Sequence, residues 1–302
     1  MTSSSTFLTL VTHYLLEHNG IRLRMGMGGA YIGVEADSEK LDKFHFALHH
    51  AFDRGIRYFD TSAQYGGSEF RFGRFLSEIK RDQVFVATKS PIPMALTAEE
   101  AGIFVRQAVY NSIDRLHVNH IDLYQIHDVL HLDQVMPDGG ALDALLRLQK
   151  SGVIRYIGLA CRYHDLLQTA VDDGRFDTIL TYADYTPSNQ TAESLISHAD
   201  DQGIGVINGS PLGFGLYTGK DPRKNDSLSG EFRQQAAGAG RVYDLATKYG
   251  LSITSVAMQL PLRNEGISIT LTGAVSPEEL DATLEASSAK IPEALWEELK
   301  GI

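Results

Sequence analysis

Short runs of β-forming residues alternate along most of this chain with longer segments in which apolar residues recur every three or four positions. The first pattern predicts buried strands and the second predicts amphipathic helices. Eight strand–helix units follow one another, with predicted strands at residues 25–29, 56–60, 84–88, 121–126, 153–159, 177–182, 204–208 and 267–271. This alternation implies a parallel sheet, and eight units predict a closed (β/α)8 barrel.

Segments outside these units are predicted in the same way. His18-Asn19-Gly20 lies between residues 14–17 and 21–25, and Asn-Gly predicts a tight hairpin turn that closes the bottom of the barrel. Residues 231–249 and 292–300 are expected to form extra helices near the carboxyl end. The predicted fold is therefore α/β, a single TIM barrel over residues 1–302 with an N-terminal β-hairpin and extra C-terminal helices. Residues 1–12 are expected to be frayed.

Three residue patterns predict where helices begin. Asp37 or Ser38 is expected to cap the helix after the first barrel strand, and Ser68 to cap a helix over residues 68–79. Ser276-Pro277 predicts a later helix start, because proline suits the first helical position.

A doubly wound sheet with a second domain is the rival fold. Its dinucleotide fingerprint needs a third glycine after the first strand, but Gly26-Met27-Gly28-Gly29-Ala30-Tyr31 has Tyr31 at that position. The barrel is therefore the better prediction.

Composition narrows the class of protein. The chain has 302 residues, 43% of them hydrophobic, which is enough for a large core, and its formal net charge of −11 argues against a nucleic-acid partner. Cys161 is the single cysteine and has no partner for an internal disulfide. No apolar run approaches the roughly 20 residues of a membrane span, and the amino terminus lacks a secretory signal. We expect a cytoplasmic protein with no membrane partner.

Several familiar signatures are incomplete. Gly219-Lys220 is not a phosphate-binding loop, because Phe214 and Asp221 occupy positions that require glycine and serine or threonine. His45 and His49 lie one helical turn apart, but position 46 carries no glutamate, so the zinc-protease motif is absent and an ordinary helix face is favoured over a metal-binding pair. His117, His120 and His131 lie near His127 without ligand spacing, so the sequence predicts no metal site.

Polar residues that can carry chemistry follow three consecutive predicted strands. Asp60, Lys89 and His127 lie at the carboxyl ends of the second, third and fourth strands, and Tyr65 follows in a loop. Barrel enzymes place their catalytic groups at this end. Each residue taken alone has an ordinary explanation as a cap, a solvated cation or a packed ring. Their combination at one barrel end indicates a catalytic site.

The four side chains form a plausible acid–base system. A tyrosine hydroxyl titrates near about 10, and a neighbouring lysine cation favours the phenolate, so we expect Lys89 to lower the pKa of Tyr65. Asp60 would keep the partly buried Lys89 charged. Tyr65 would then act as general acid or base, and His127 would orient the substrate oxygen. This arrangement suits hydride transfer with a nicotinamide.

Longer segments around these residues resemble the aldo-keto reductases. Phe59-Asp60-Thr61 with Tyr65-Gly66, Ala87-Thr88-Lys89 and Ile121–His127 are similar to that family's signatures, as are Val153–Gly158 and Ser210–Leu216. The resemblance runs from about Tyr14 to Ala289. It implies a catalytic tetrad of Asp60, Tyr65, Lys89 and His127, a nicotinamide cofactor and a small-molecule substrate. It also implies a cofactor site at Gly29, Asp60, Tyr182, Ser210, Leu212, Gly213, Gly273, Val275 and Glu279.

Departures from the family pattern bear on the cofactor. Ala160-Cys161 replaces the usual Ser-Asn, Tyr182 the usual Gln, and Gly209 the stacking aromatic residue. Gly273 and Glu279 stand where members that prefer NADPH carry Lys or Arg. Because a carboxylate repels a phosphate but accepts from a ribose hydroxyl, the resemblance favours NAD, with NADP as the alternative.

Two shorter segments, residues 182–186 and 205–212, resemble the L-galactose and D-threo-aldose 1-dehydrogenase branch of the family. This resemblance implies NAD-dependent oxidation of an aldose at C1 to a lactone, with Tyr31, Tyr65, His127 and Asp128 near the substrate. The alternatives are an NADPH-dependent aldehyde or ketone reductase and a non-catalytic regulatory barrel.

Overall fold

The computed structural model describes residues 16–302, in which eight parallel strands close into a barrel. The barrel strands are β3 (Met25–Gly28), β4 (Tyr58–Asp60), β5 (Phe85–Pro91), β6 (Ile121–His127), β7 (Ile154–Ala160), β8 (Thr178–Tyr182), β9 (Gly205–Gly209) and β10 (Ile269–Thr272). Each barrel strand pairs with the next, and β10 pairs with β3, so the barrel sheet formed by the described residues has no free edge. The predicted (β/α)8 barrel is confirmed.

Ten helices surround the barrel in the described part of the chain. They are α1 (Ser38–Asp53), α2 (Ser68–Ser77), α3 (Ala98–Leu116), α4 (Ala141–Lys150), α5 (His164–Asp173), α6 (Glu193–Asp201), α7 (Gly230–Lys248), α8 (Ile253–Arg263), α9 (Pro277–Ser288) and α10 (Glu293–Leu299). The extra carboxyl-terminal helices are α7 and α10, which pack together with Trp296 in a separate apolar cluster. No helix in residues 16–302 is both long and apolar enough to span a bilayer.

The predicted hairpin precedes the barrel. β1 (Leu16–His18) and β2 (Ile21–Leu23) pair antiparallel around Asn19 and Gly20, whose φ angles are 51° and 75°. Leu16 and Leu23 are buried, and Asn19 contacts Ser288 at the end of α9. Because α9 ends where helices return to the strand starts, the hairpin lies at the bottom of the barrel, as expected. Residues 1–12 and the predicted strand residues Tyr14 and Leu15 lie outside the described part.

Two strands, β4 and β10, begin two residues later than predicted, for the same reason. Ile56 donates its backbone N–H to Ala51 of α1, and Gly55 has a φ of 99°, so the chain still completes the helix end there. Ile267 likewise donates to Asn264 in a turn before β10. Apolar residues therefore extended the predicted strands into tight turns.

Aromatic and aliphatic side chains fill the barrel interior. Tyr58 and Phe85 stack with ring centroids 5.0 Å apart, and Tyr156 packs on Phe85 at 6.2 Å. Above this layer, towards the carboxyl ends of the strands, the inward side chains become polar, which marks the functional end of the barrel.

Candidate active site

Strand register brings Asp60, Lys89 and His127 to one end of the barrel. Asp60 pairs with Ala87, Lys89 with Gln125, and Pro91 with His127. Residues two apart on a strand point to the same face, so Lys89 lies just beyond the level of Asp60 and His127 just beyond Gln125. The predicted grouping at the carboxyl ends is what the structure shows.

Asp60 and Lys89 form a buried ion pair, with each residue only 2% and 1% exposed. The Lys89 ammonium donates to Asp60 Oδ1 and to the carbonyl oxygen of Thr61 at 3.1 Å. Gln125 Nε2 donates to the other Asp60 oxygen at 3.2 Å. Both carboxylate oxygens therefore have donors, which a buried charge requires.

Tyr65 lies between this pair and His127. Its ring centroid is 5.1 Å from Lys89 Nζ and 5.7 Å from the His127 ring, which meets it edge-on at 85°. The loop that carries Tyr65 approaches Gly33 so closely that only glycine fits there, because a Cβ added at Gly33 would lie 1.6 Å from the Tyr65 carbonyl oxygen. Gly67 donates its N–H to the Gly33 carbonyl at 3.0 Å, which fixes the other side of the loop.

Ser68 does not cap α2, contrary to the prediction. It is the first residue of the helix, and its hydroxyl donates to the Gly29 carbonyl at 2.9 Å and accepts from Thr61 at 2.7 Å. The serine is fully buried and ties β3 to the segment after β4. This contact supports the loop that carries Tyr65.

The pKa of Tyr65 differs from the sequence-based expectation. Burial raises it above the ordinary tyrosine value, and the opposing effect of the Lys89 charge does not cancel that rise. The expected net lowering is therefore wrong, although the sign of the lysine effect is right. Tyr65 is a protonated hydroxyl at neutral pH in the protein alone.

At neutral pH the Lys89 side chain is charged and the His127 side chain is neutral. Burial opposes the Lys89 charge, yet Asp60 and Tyr65 together raise the pKa of Lys89 above its ordinary value. Burial and the nearby Lys89 charge lower the pKa of His127 to about 3. The site thus combines a fixed cation with a neutral imidazole.

Two neighbours orient His127. Ser62 Oγ lies 3.1 Å from its Nδ1 and also donates to the Lys89 carbonyl at 3.0 Å. Asp128, which has a left-handed φ of 48°, places a carboxylate oxygen 3.3 Å from Nε2. Tyr182 donates its hydroxyl to Asp128 at 3.2 Å. Polar groups able to bind hydroxyls therefore surround the imidazole.

A cavity of about 1370 Å³ opens over these residues. It is lined by all of the predicted catalytic and substrate residues and by the predicted cofactor residues except Gly213. Gly213 is buried and does not line the cavity, and its φ of 55° turns the chain between Leu212 and Phe214. The volume exceeds the 300–1,000 Å³ of a typical ligand pocket, so the cavity is larger than a single drug-sized ligand requires.

Tyr31, Gly273 and Glu279 line the part of the cavity near the start of α9. The Tyr31 ring lies against Gly273, where an added Cβ would be 3.2 Å from it. Glu279 is exposed, and its Oε2 accepts the N–H of Val275 at 3.0 Å at the start of α9. Its carboxylate therefore supports the helix start as well as facing the cavity. Tyr31 lies beside the predicted cofactor residues and not only beside the substrate residues.

The four residues that depart from the resembled pattern around the nicotinamide do not all line the cavity. Ala160 and Cys161 are buried outside its lining, and burial raises the pKa of the Cys161 thiol to about 12. Tyr182 and Gly209 do line it. A cofactor would therefore meet a different set of groups here than the usual Ser-Asn-Gln.

Ser62, Gln125 and Gly33 support the site but were missed from sequence. Ser62 and Gln125 lie two residues from Asp60 and His127, and alternation along a strand or turn was the available signal. Gly33 gave no local signal, because its role depends on how closely the Tyr65 loop approaches.

Comparisons with known proteins cover nearly the whole chain. The aldo/keto reductase family model matches residues 24–302. L-Galactose dehydrogenase of Arabidopsis thaliana is 30% identical over 292 residues, which cover 92% of this chain and 89% of that protein. D-threo-aldose 1-dehydrogenase of a Pseudomonas species is 27% identical over 308 residues, covering 91% and 92%. A glycerol dehydrogenase structure from Gluconobacter oxydans has a TM-score of 0.74 at 24% identity, covering 95% and 94%.

Proposed function

Because the chain belongs to the aldo/keto reductase family of nicotinamide-dependent oxidoreductases, we propose that it oxidises an aldose at C1 to a lactone with NAD. The observation that carries this proposal is the meeting of Tyr65, Lys89 and His127 at the floor of one large cavity. A proton carrier, a fixed cation and a neutral hydrogen-bonding imidazole are what alcohol oxidation requires from the protein.

The reaction divides between cofactor and protein. Cavity residues such as Ser210, Leu212 and Glu279 would hold a nicotinamide cofactor, which would supply the hydride acceptor for C1. Tyr65 first releases its own proton to solvent, and the resulting phenolate then takes the proton of the anomeric hydroxyl as hydride leaves C1, so that the C1–O bond becomes the lactone carbonyl. Lys89 stabilises the phenolate form of Tyr65 at the moment of transfer, and Asp60 keeps Lys89 charged within the buried pair. His127 binds the reacting oxygen without ionising.

A sugar suits the polar rim of this site. Asp128 and Tyr182 place a carboxylate and a hydroxyl beside His127, and these groups can bind the hydroxyls of a polyhydroxylated substrate. The names of the Arabidopsis and Pseudomonas relatives describe dehydrogenases of this substrate class. Glu279 supports NAD over NADP, because its charge would repel a 2′-phosphate.

One observation favours a second candidate, an NADPH-dependent aldehyde or ketone reductase. The raised pKa of Tyr65 keeps its hydroxyl protonated at neutral pH, which suits donation of a proton to a carbonyl. The same residues would serve this reaction in the reverse direction.

A cofactor absorbance screen separates the two candidates. Purified protein is assayed at 340 nm with a panel of aldoses plus NAD, and in parallel with aldehydes and ketones plus NADPH. The proposal expects NADH formation with at least one aldose, and lactone in the product mixture. Activity confined to the carbonyl panel with NADPH would replace it with the reductase.

A further inference from the structure

Three side chains that commonly bind metal ions meet on the outer helical layer, and none of them lines the catalytic cavity. His45 and His49 lie one turn apart on α1, so their imidazoles share one helix face. Glu78 directly follows the last residue of α2 and faces the same point. The sequence showed only the histidine pair, because Glu78 comes from another helix.

The ligand atoms are already grouped. Glu78 Oε2 lies 3.1 Å from His45 Nε2 and 2.8 Å from His49 Nε2, and all three atoms lie within 4.8 Å of one another. Tetrahedral zinc with bonds of about 2.0–2.2 Å separates its ligands by about 3.3 Å. The two distances from Glu78 to the imidazoles differ from this separation by only a few tenths of an ångström, and the two imidazole nitrogens, which lie within 4.8 Å of each other, would move closer together when a zinc ion replaces the hydrogen bonds.

Neighbouring contacts hold this geometry. The Glu78 N–H donates to the Phe75 carbonyl at 3.0 Å, and Arg74 lies 3.7 Å from Glu78 Oε1, which leaves Oε2 to the imidazoles. The His49 ring packs edge-on against Phe75 at 5.1 Å. Side-chain exposures of 14%, 29% and 42% for His45, His49 and Glu78 leave an open side for a water ligand.

The Glu78 carboxylate and the end of α2 favour a cation at this point, while the Arg74 guanidinium, 3.7 Å from Glu78 Oε1, opposes one. Glu78 lies at the carboxyl end of α2, where the helix dipole disfavours a negative charge. A divalent ion bound there would offset both the carboxylate and the dipole. Two imidazoles and one carboxylate form the donor set typical of zinc and related transition metals.

We propose that His45, His49 and Glu78 form a surface binding site for Zn²⁺ or a similar divalent transition-metal ion, which links α1 to the end of α2. Phe46 occupies the position where a zinc protease carries its general-base glutamate, so the site lacks the hydrolytic group of that motif. It is independent of the proposed dehydrogenase activity.

Titration calorimetry of chelator-treated protein with Zn²⁺ tests the proposal. Wild type should bind one ion per chain, and Zn²⁺ should raise the unfolding temperature reversibly with EDTA. Glu78→Gln, His49→Ala and His45→Gln should each weaken binding at least about tenfold, since even the loss of an outer-shell contact costs about 10–100-fold. His45→Gln is included because His49→Ala also removes the packing of His49 on Phe75, whereas His45→Gln removes a ligand without that loss.

His198→Ala is the matched control, because His198 Nε2 lies 2.7 Å from Asp172 Oδ1 in a surface imidazole–carboxylate pair outside the proposed site. It should bind Zn²⁺ as wild type does. Co²⁺ in the same site should show the visible absorption of a low-symmetry complex, which Glu78→Gln loses. The proposal is overturned if wild type does not bind one Zn²⁺ ion per chain or if the three site variants bind Zn²⁺ as tightly as wild type. It is also overturned if His198→Ala loses as much Zn²⁺ affinity as the site variants do.

Discussion

Replacing Lys89 with methionine tests how much the buried Asp60–Lys89 ion pair contributes to the free energy of unfolding, in addition to its role in catalysis. Lys89→Met keeps the length of the side chain but leaves the Asp60 carboxylate without its cation in a site that is only 2% exposed. Breaking a buried pair in this way costs about 3–5 kcal/mol. Gln125 still donates to the second Asp60 oxygen at 3.2 Å, which places the expected loss near about 3 kcal/mol.

The pH dependence of this loss has a definite sign. Burial raises the pKa of Asp60, and removing the opposing Lys89 charge raises it further. A raised folded-state pKa favours folding at low pH and loses that contribution as the pH rises through the folded value. The deficit of Lys89→Met should therefore shrink as the pH falls from 8 towards the unfolded carboxyl value of about 3.9.

Urea unfolding of wild type, Lys89→Met and Asp60→Asn/Lys89→Met at several pH values measures these terms. The double variant has no buried charge and should recover most of the stability while remaining inactive. A single variant within about 1 kcal/mol of wild type at pH 8, or a deficit that grows on acidification, would refute the reasoning.

Three further results are expected. Glu279→Arg should shift the NADP-to-NAD ratio of kcat/KM by one or two orders of magnitude, since a charge-assisted contact is worth about 1.5–3 kcal/mol; Glu278→Arg is the control, and an unmoved ratio would make Glu279 a helix-start acid only. Gly33→Ala should lower kcat/KM about 100-fold, because its Cβ would meet the Tyr65 carbonyl at 1.6 Å, whereas Gly301→Ala, with its nearest contact at 3.4 Å, should not. Because burial raises the pKa of Tyr65, kcat/KM for oxidation should rise about tenfold per pH unit between about pH 7 and 9; a flat pH profile would contradict this.

Much of the fold followed from sequence because its signals are local. Alternating periodicity identified all eight barrel strands, and Asp37 caps α1 by accepting the Lys40 N–H, as expected. Strand starts were less accurate, because Ile56 and Ile267 are buried apolar residues whose N–H groups bond within turns. Hydrophobicity alone does not distinguish a strand from a packed turn.

The grouping of Asp60, Lys89 and His127 was also predictable, since parallel strands bring their carboxyl ends together. Other contacts between residues that are distant in sequence could not be predicted in this way. The pKa of Tyr65 depends on the burial of its side chain, which the neighbouring residues in sequence do not indicate. Glu78 lies beside His45 and His49 only because α1 and α2 are adjacent in the fold.

The most direct test of the proposed chemistry is single-turnover hydride transfer by Tyr65→Phe. This variant removes one hydroxyl and keeps the ring against His127. With an active aldose and NAD, it should bind cofactor like wild type but lose at least about 100-fold in the rate of NADH formation, the lower range for positioned acid–base catalysis. Tyr110→Phe, which alters a 44% exposed ring on α3, should keep the full rate. Hydride transfer at the wild-type rate in Tyr65→Phe would contradict the assignment of Tyr65 as the proton carrier.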